Sequence, residues 1–369
     1  MEDFYHIIVN FFFNAPVFIK ITVLLIIGFI LAITILIIYL KHIRRRLRNK
    51  ERIQATYRKK YESELISYLY SGDGDGKINS EQQGIINYLK KCSHNPLKRK
   101  ILVSTLLKLR NEISGEVADA IQNLYYQIGL ENHAAKKLKN KKWNKIAKGI
   151  LELTQFEIKE VHDEIILHIN HPRGEVRKEV QMYLVKIFYF DGLEFLNVIE
   201  HYLSEWDQIQ LIETLQKFEN QQIPDINPWL KSTNDSVVLF AIKLAKIYNQ
   251  SESKDILLEL LDHDNILVRV NTIDVLNNLY VTEAVPILKE NFSKLSIEEQ
   301  IAFFSMLENI HHNNDIKFIF ENINNKNFEI KVSANNIMKA LNIEKLNAVM
   351  IEAFESENSE SSDFITIAS

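Results

Sequence analysis

Apolar residues follow two patterns along this chain. The first is a run. Residues 21–40, ITVLLIIGFILAITILIIYL, are twenty positions without a charge. At about 1.5 Å per residue, a helix of that length covers roughly 30 Å, the hydrocarbon thickness of a bilayer. The run has no polar face, which a core helix of a water-soluble domain would need. One membrane-spanning helix is therefore predicted over residues 19–40. The run does not read as a cleaved signal, because MEDFYHII before it lacks a basic stretch and no small-residue cleavage site follows.

The second pattern is a stripe that repeats. Five segments align: NPLKRKILVSTLLKL, RGEVRKEVQMYLVKI, NDSVVLFAIKLAKIY, DNILVRVNTIDVLNNL and NKNFEIKVSANNIMKAL. Their first apolar residues are Leu97, Val176, Val237, Val268 and Ile330. Four positions on stand Ile101, Val180, Ala241, Thr272 and Ala334, and eight on stand Thr105, Leu184, Ala245, Leu276 and Met338. That spacing draws one stripe down a helix. The markers lie 79, 61, 31 and 62 residues apart, and two of these intervals are close to twice 31. LSEWDQIQLIETLQKF and KLSIEEQIAFFSMLENI supply the copies in between. Second amphipathic helices are predicted over GLEFLNVIEHYL, SKDILLELL, TEAVPILKENF and DIKFIFENI, with a kink at Pro286. The unit is then a helix pair of about 30 residues.

This pattern resembles HEAT repeats, and in particular the second helix of that family with its Val-Arg pair. The basic residue after the marker is Lys98, Arg177, Arg269 or Lys331, and Val238 replaces it in the third copy. The resemblance implies that these side chains form a structural ladder with acidic or amide groups of the neighbouring turn. It implies an all-α fold, an α-solenoid of HEAT-like pairs over residues 85–345 preceded by one transmembrane helix. Stacked pairs share one core and expose an extended surface, which suits binding of a protein partner.

Charge adds direction. The net charge of −4 hides a collar: residues 41–60 carry +9, residues 1–40 carry −1, and the remainder carries −12. The collar opens with Lys41, Arg44, Arg45, Arg46, Arg48 and Lys50 directly after the apolar run. By the positive-inside rule that side is cytoplasmic, so residues 1–18 lie outside and the large C-terminal part lies inside. The same side chains are candidates for binding anionic lipid headgroups. An acidic body is a poor ligand for nucleic acid, and none is expected. This layout is similar to anchored HEAT-repeat proteins of Bacteroidetes, which implies the inner membrane of a bacterium. Some of those stand beside membrane glycosyltransferases for surface polysaccharide, so such an enzyme or a signalling complex is an expected partner.

Composition narrows the chemistry. Ten Gly and six Pro in 369 residues argue against Gly-rich α/β enzymes, and the single Cys92 excludes an intramolecular disulfide. No Walker lysine loop, GxSxG, HExxH or GxGxxG is present, so no catalytic residue and no cofactor is assigned. A HEAT-like enzyme acting through a concave basic groove is the alternative.

SGDGDGKINSEQ, residues 71–82, approaches a calcium loop, with Asp73 and Asp75 as candidate ligands of a calcium-modulated regulator. Its ends fail, because Ser71 stands where Asp is required and Gln82 where a bidentate Glu is required. It reads as an acidic loop between residues 41–70 and the repeats. His162, His168 and His171 lack the spacing of a zinc set. Trp143, Trp206 and Trp229 read as core between repeats. Residues 346–369 read as a disordered acidic tail.

Overall fold

The computed structural model describes residues 16–71, 78–113, 115–218 and 223–341, which are helical with no strand among them. The chain divides into two compact units, Met1–His133 and Ala134–Ser369.

In the first unit, α1 (Val17–Tyr70) is one uninterrupted helix of 54 residues. It joins the apolar run and the basic collar, which the sequence divided between a span and a separate juxtamembrane helix. No proline or glycine lies between Phe29 and Ser71 to break it. Its apolar window is entirely unburied and long enough to cross a bilayer. Only its far end enters a core: Tyr61, Leu65 and Tyr68, spaced four and three apart, are buried. That stripe packs on α2 (Ser80–Ser93) and α3 (Pro96–Glu112), and α4 (Glu116–Ile128) packs on both of those. Leu89, Leu102, Leu106, Ile121 and Leu124 complete this core at zero exposure.

The second unit begins within α5 (Leu130–Leu138) and continues through α6 (Trp143–Gln155), α7 (His162–Ile166), α8 (Gly174–Phe188), α9 (Glu205–Leu215), α10 (Asn227–Leu230) and α11 (Asp235–Ile247). It then runs through α12 (Lys254–Glu259), α13 (Ile266–Asn278), α14 (Ala284–Glu290), α15 (Ile297–Ile310), α16 (Ile316–Glu321) and α17 (Phe328–Ala340). The longer helices have their N-caps at Lys142, Arg173, Ser204, Asn234, Asn265, Ser296 and Asn327, each 30 or 31 residues after the last. Helix α6 packs on α8 and α8 on α9, while α11 packs on α13, α13 on α15 and α15 on α17. Seven residues after each cap stands a buried position: Gly149, Val180, Leu211, Ala241, Thr272, Phe303 or Ala334.

Register from the caps corrects the first aligned copy. Three residues after Asn95 comes Lys98, not Leu97, and Leu97 is indeed exposed. The expected Ile101 and Thr105 are buried there, together with Leu102 and Leu106. The intervening helices are shorter than expected. GLEFLNVIEHYL forms a 3-10 turn, Asp191–Asn197, instead of an α-helix. Leu193, Phe195 and Leu196 all bury, a spacing that the tighter turn serves. Pro286 falls in the first turn of α14, where its missing N–H has no intrahelical role, so it starts the helix instead of kinking it.

Candidate functional site

Lys41, Arg44, Arg45, Arg46, Arg48 and Lys50 are all exposed on α1, directly after the apolar segment. Lys41, Arg44, Arg45 and Arg48 share one face at helical spacing, and Arg46 and Lys50 share another. From Leu40 to the first buried residue, Tyr61, α1 extends about 30 Å and is mostly exposed.

Asp73 and Asp75 lie outside the described residues. The end of that segment is nevertheless plain. Asn79 caps α2: its Oδ1 accepts from the Gln82 N–H at 2.8 Å, while Gln82 Oε1 accepts from the Asn79 N–H at 3.2 Å. Gln82 Nε2 also donates to the Tyr68 carbonyl at 3.0 Å. Gln82, which stands at the last ligand position of a calcium loop, is committed to a capping box and to tying α2 to α1. The signal was present as Asn-x-x-Gln before an apolar run.

The four basic residues after the markers part company. Arg269 makes two hydrogen bonds to Glu299, Nε to Oε1 at 2.6 Å and Nη2 to Oε2 at 3.1 Å. Its Nη1 donates to the His263 carbonyl at 2.6 Å. Arg177 Nη1 donates to the carbonyls of His171 at 2.8 Å and Pro172 at 3.2 Å, within its own turn. Lys98 lies over the Tyr57 ring, 5.0 Å from its centre. Its place is taken by Arg99, four after its cap, whose Nη1 donates to the Ser93 carbonyl at 2.9 Å. Lys331 is exposed and has no side-chain partner among the described residues. Sequence alignment missed two glutamines at the same position. Gln208 donates to the Leu203 carbonyl at 3.1 Å, and Gln300 donates to the Leu295 carbonyl at 3.0 Å. A donor four residues past the cap fastens the linker that enters the helix.

The histidines do not assemble a metal centre, and no group of three potential ligands does so among the described residues. His168 and His171 lie 5.9 Å apart, ring centre to ring centre. Burial, with some help from His171, pulls the His168 imidazole below its ordinary range. Among the tryptophans, Trp229 is buried and its Nε1 donates to Asn197 Oδ1 at 3.0 Å. Trp143 and Trp206 are exposed, because they occupy the first turns of α6 and α9, outside the buried stripe.

The sequence did not point to a cleft of about 410 Å³ in the second unit. Its polar lining is His162, Asp191 and Glu194. Its apolar lining is Ile166, Leu184, Phe188, Phe195 and Val198. The His162 ring meets Phe188 edge-on at 4.8 Å and stacks on Tyr183 at 6.2 Å. Its Nδ1 is buried and unpaired among the described residues. Tyr189 turns the chain back with φ 56° and ψ −128°, a conformation that L residues rarely adopt. Gly192 then lies so close to α8 that a Cβ would stand 2.3 Å from the Leu184 carbonyl oxygen. This contact brings Asp191 and Glu194 to the cleft.

No family model matches the chain, and no curated protein matches it. Solved structures do match. An engineered protein aligns over 78% of this chain and 90% of its own, with 15% identity and a TM-score of 0.35. Human deoxyhypusine hydroxylase in complex with glycerol aligns over 77% of this chain and 96% of its own, with 11% identity and a TM-score of 0.29. A second engineered protein aligns over 72% and 97%, with 13% identity and a TM-score of 0.24.

Proposed function

We propose that this protein is a membrane-anchored binding protein that presents a helical-repeat solenoid to a protein partner at the cytoplasmic face of a bacterial inner membrane. The observation that carries the reading is the continuity of α1. One helix holds an apolar length fit for a bilayer, then a basic collar, then the buried residues Tyr61, Leu65 and Tyr68. A helix of this kind acts as both anchor and stalk. The collar sets orientation with the C-terminal part inside, and anionic headgroups attract Lys41, Arg44, Arg45 and Arg48. The 31-residue spacing of caps in the second unit supports a solenoid, since each pair covers its apolar face with the next.

The test uses the full chain in its native membrane. Cysteines placed at exposed Lys50 and Glu308 are treated with a membrane-impermeant maleimide before and after lysis. Labelling only after lysis is expected, together with resistance of the protein to alkaline extraction. Extraction at high pH removes the anchor reading. Labelling in intact cells reverses the topology.

A further inference from the structure

The cleft beside α8 has an uneven chemistry. Both charged residues that line it, Asp191 and Glu194, are carboxylates, and no lysine or arginine lines it. Both are exposed, and neither forms an ion pair among the described residues. The third polar residue that lines it is His162. The walls are apolar, and Phe188 supplies an aromatic ring at the side of His162.

A ligand that satisfies this set carries positive charge, several hydrogen-bond donors and an apolar stem. An anion is repelled by two carboxylates. A neutral apolar group leaves them without a partner. A guanidinium offers five donors in a planar fork and stacks on aromatic faces, and its methylene stem covers apolar walls. A cation over a ring is drawn to its electron-rich face, the more so where it is shielded from water. The volume falls within the range of small-ligand sites, about 300–1,000 Å³.

We infer that this cleft is a receptor for a cationic side chain, with Asp191 and Glu194 clamping a guanidinium whose stem lies along Phe188 and Leu184. The occupant is an arginine of a partner protein. The inference deepens the partner-binding reading by giving one contact its chemistry. It is tested with a free cation, so its outcome is separate from whether a membrane tether or a partner is found.

The experiment is saturation-transfer NMR on the full chain in detergent micelles, with arginine amide as probe and norleucine amide as its uncharged control, both acetylated at the α-amino group. Arginine amide is expected to give a saturable signal strongest at its δ-methylene, and norleucine amide none. The double variant Asp191→Asn/Glu194→Gln is expected to weaken arginine amide at least tenfold at unchanged melting temperature. A control variant that removes two exposed carboxylates elsewhere, Glu252→Gln/Glu308→Gln, is expected to bind as the unaltered chain does. Equal loss in both variants would show general attraction to an acidic surface and overturn the site. So would a signal that the cleft variant leaves intact, or no saturable signal at all.

Discussion

Arg269 and Glu299 join successive repeats through a bidentate pair, and Glu299 occupies a position that is apolar in four other repeats. Three residues past the cap, other repeats bury Val176, Val237, Val268 and Ile330. Glu299 is just as buried, at 1% exposure. It is tolerable there because its oxygens are fully engaged, by Arg269 and by the Ser296 N–H at 2.9 Å. Removing the guanidinium leaves a carboxylate in the core. Arg269→Ala is expected to lower stability by about 3 kcal/mol. Glu299→Gln, which keeps the shape and loses the charge, should cost less. Urea unfolding of the full chain in micelles, followed by circular dichroism, checks both; equal and small losses would deny the pair its role.

The same pair fixes a pH response. Burial pushes the Glu299 carboxyl up, but the hydrogen bonds from Arg269 and Ser296 outweigh it and hold the group below its ordinary value. A carboxylate whose folded value is depressed adds stability above its unfolded value, and that stability is lost as pH falls through the folded one. Melting temperature should therefore decline below about pH 4.3. Glu299→Gln should decline less steeply over that window. Parallel curves for the two proteins would rule the linkage out.

Two glycines should respond in opposite directions. A Cβ at Gly192 meets the α8 backbone, 2.3 Å from Leu184 O and 2.5 Å from Leu184 C, and backbone yields little. Gly192→Ala is expected to cost about 2 kcal/mol or more and to disturb the cleft. Nothing lies within 4 Å of a Cβ at Gly84, inside α2. Gly84→Ala should stabilise by about 0.5–1 kcal/mol. Thermal melts of the two variants decide this.

The linker clamp should show at Arg177 and not at Lys331. Arg177→Ala gives up donations to two carbonyls, worth about 1 kcal/mol for a partly exposed group. Lys331→Ala, on an exposed side chain, should stay within about 0.5 kcal/mol. Equal melting temperatures for the two variants would remove the clamp.

Much of the architecture was legible in residues near one another in the chain. The apolar run, the collar and the stripes announce a long helix and a helical repeat, because transfer from water and the 3.6-residue period act locally. Boundaries were less legible. Leu97 looked like a marker because one apolar residue follows Pro96, yet the cap at Asn95 places Lys98 in that register. The run at 71–82 looked like a calcium loop because capping residues and calcium ligands are drawn from the same polar set, and Gln82 is taken by the cap.

The sequence by itself determined a helical fold with one long apolar helix, a basic segment behind it and a repeat of helix pairs about 30 residues long. Each of those is a property of consecutive residues. Tertiary structure alone decided that Glu299 meets Arg269 thirty residues away, that Trp206 stays in solvent while Trp229 is buried, and that Gly192 settles on Leu184. It alone gathered His162, Phe188, Asp191 and Glu194 around one cleft. Those outcomes depend on how closely separate helices approach. A stripe of apolar residues dictates which face is buried, but the depth of packing and the charges left at its rim arise only when the faces meet.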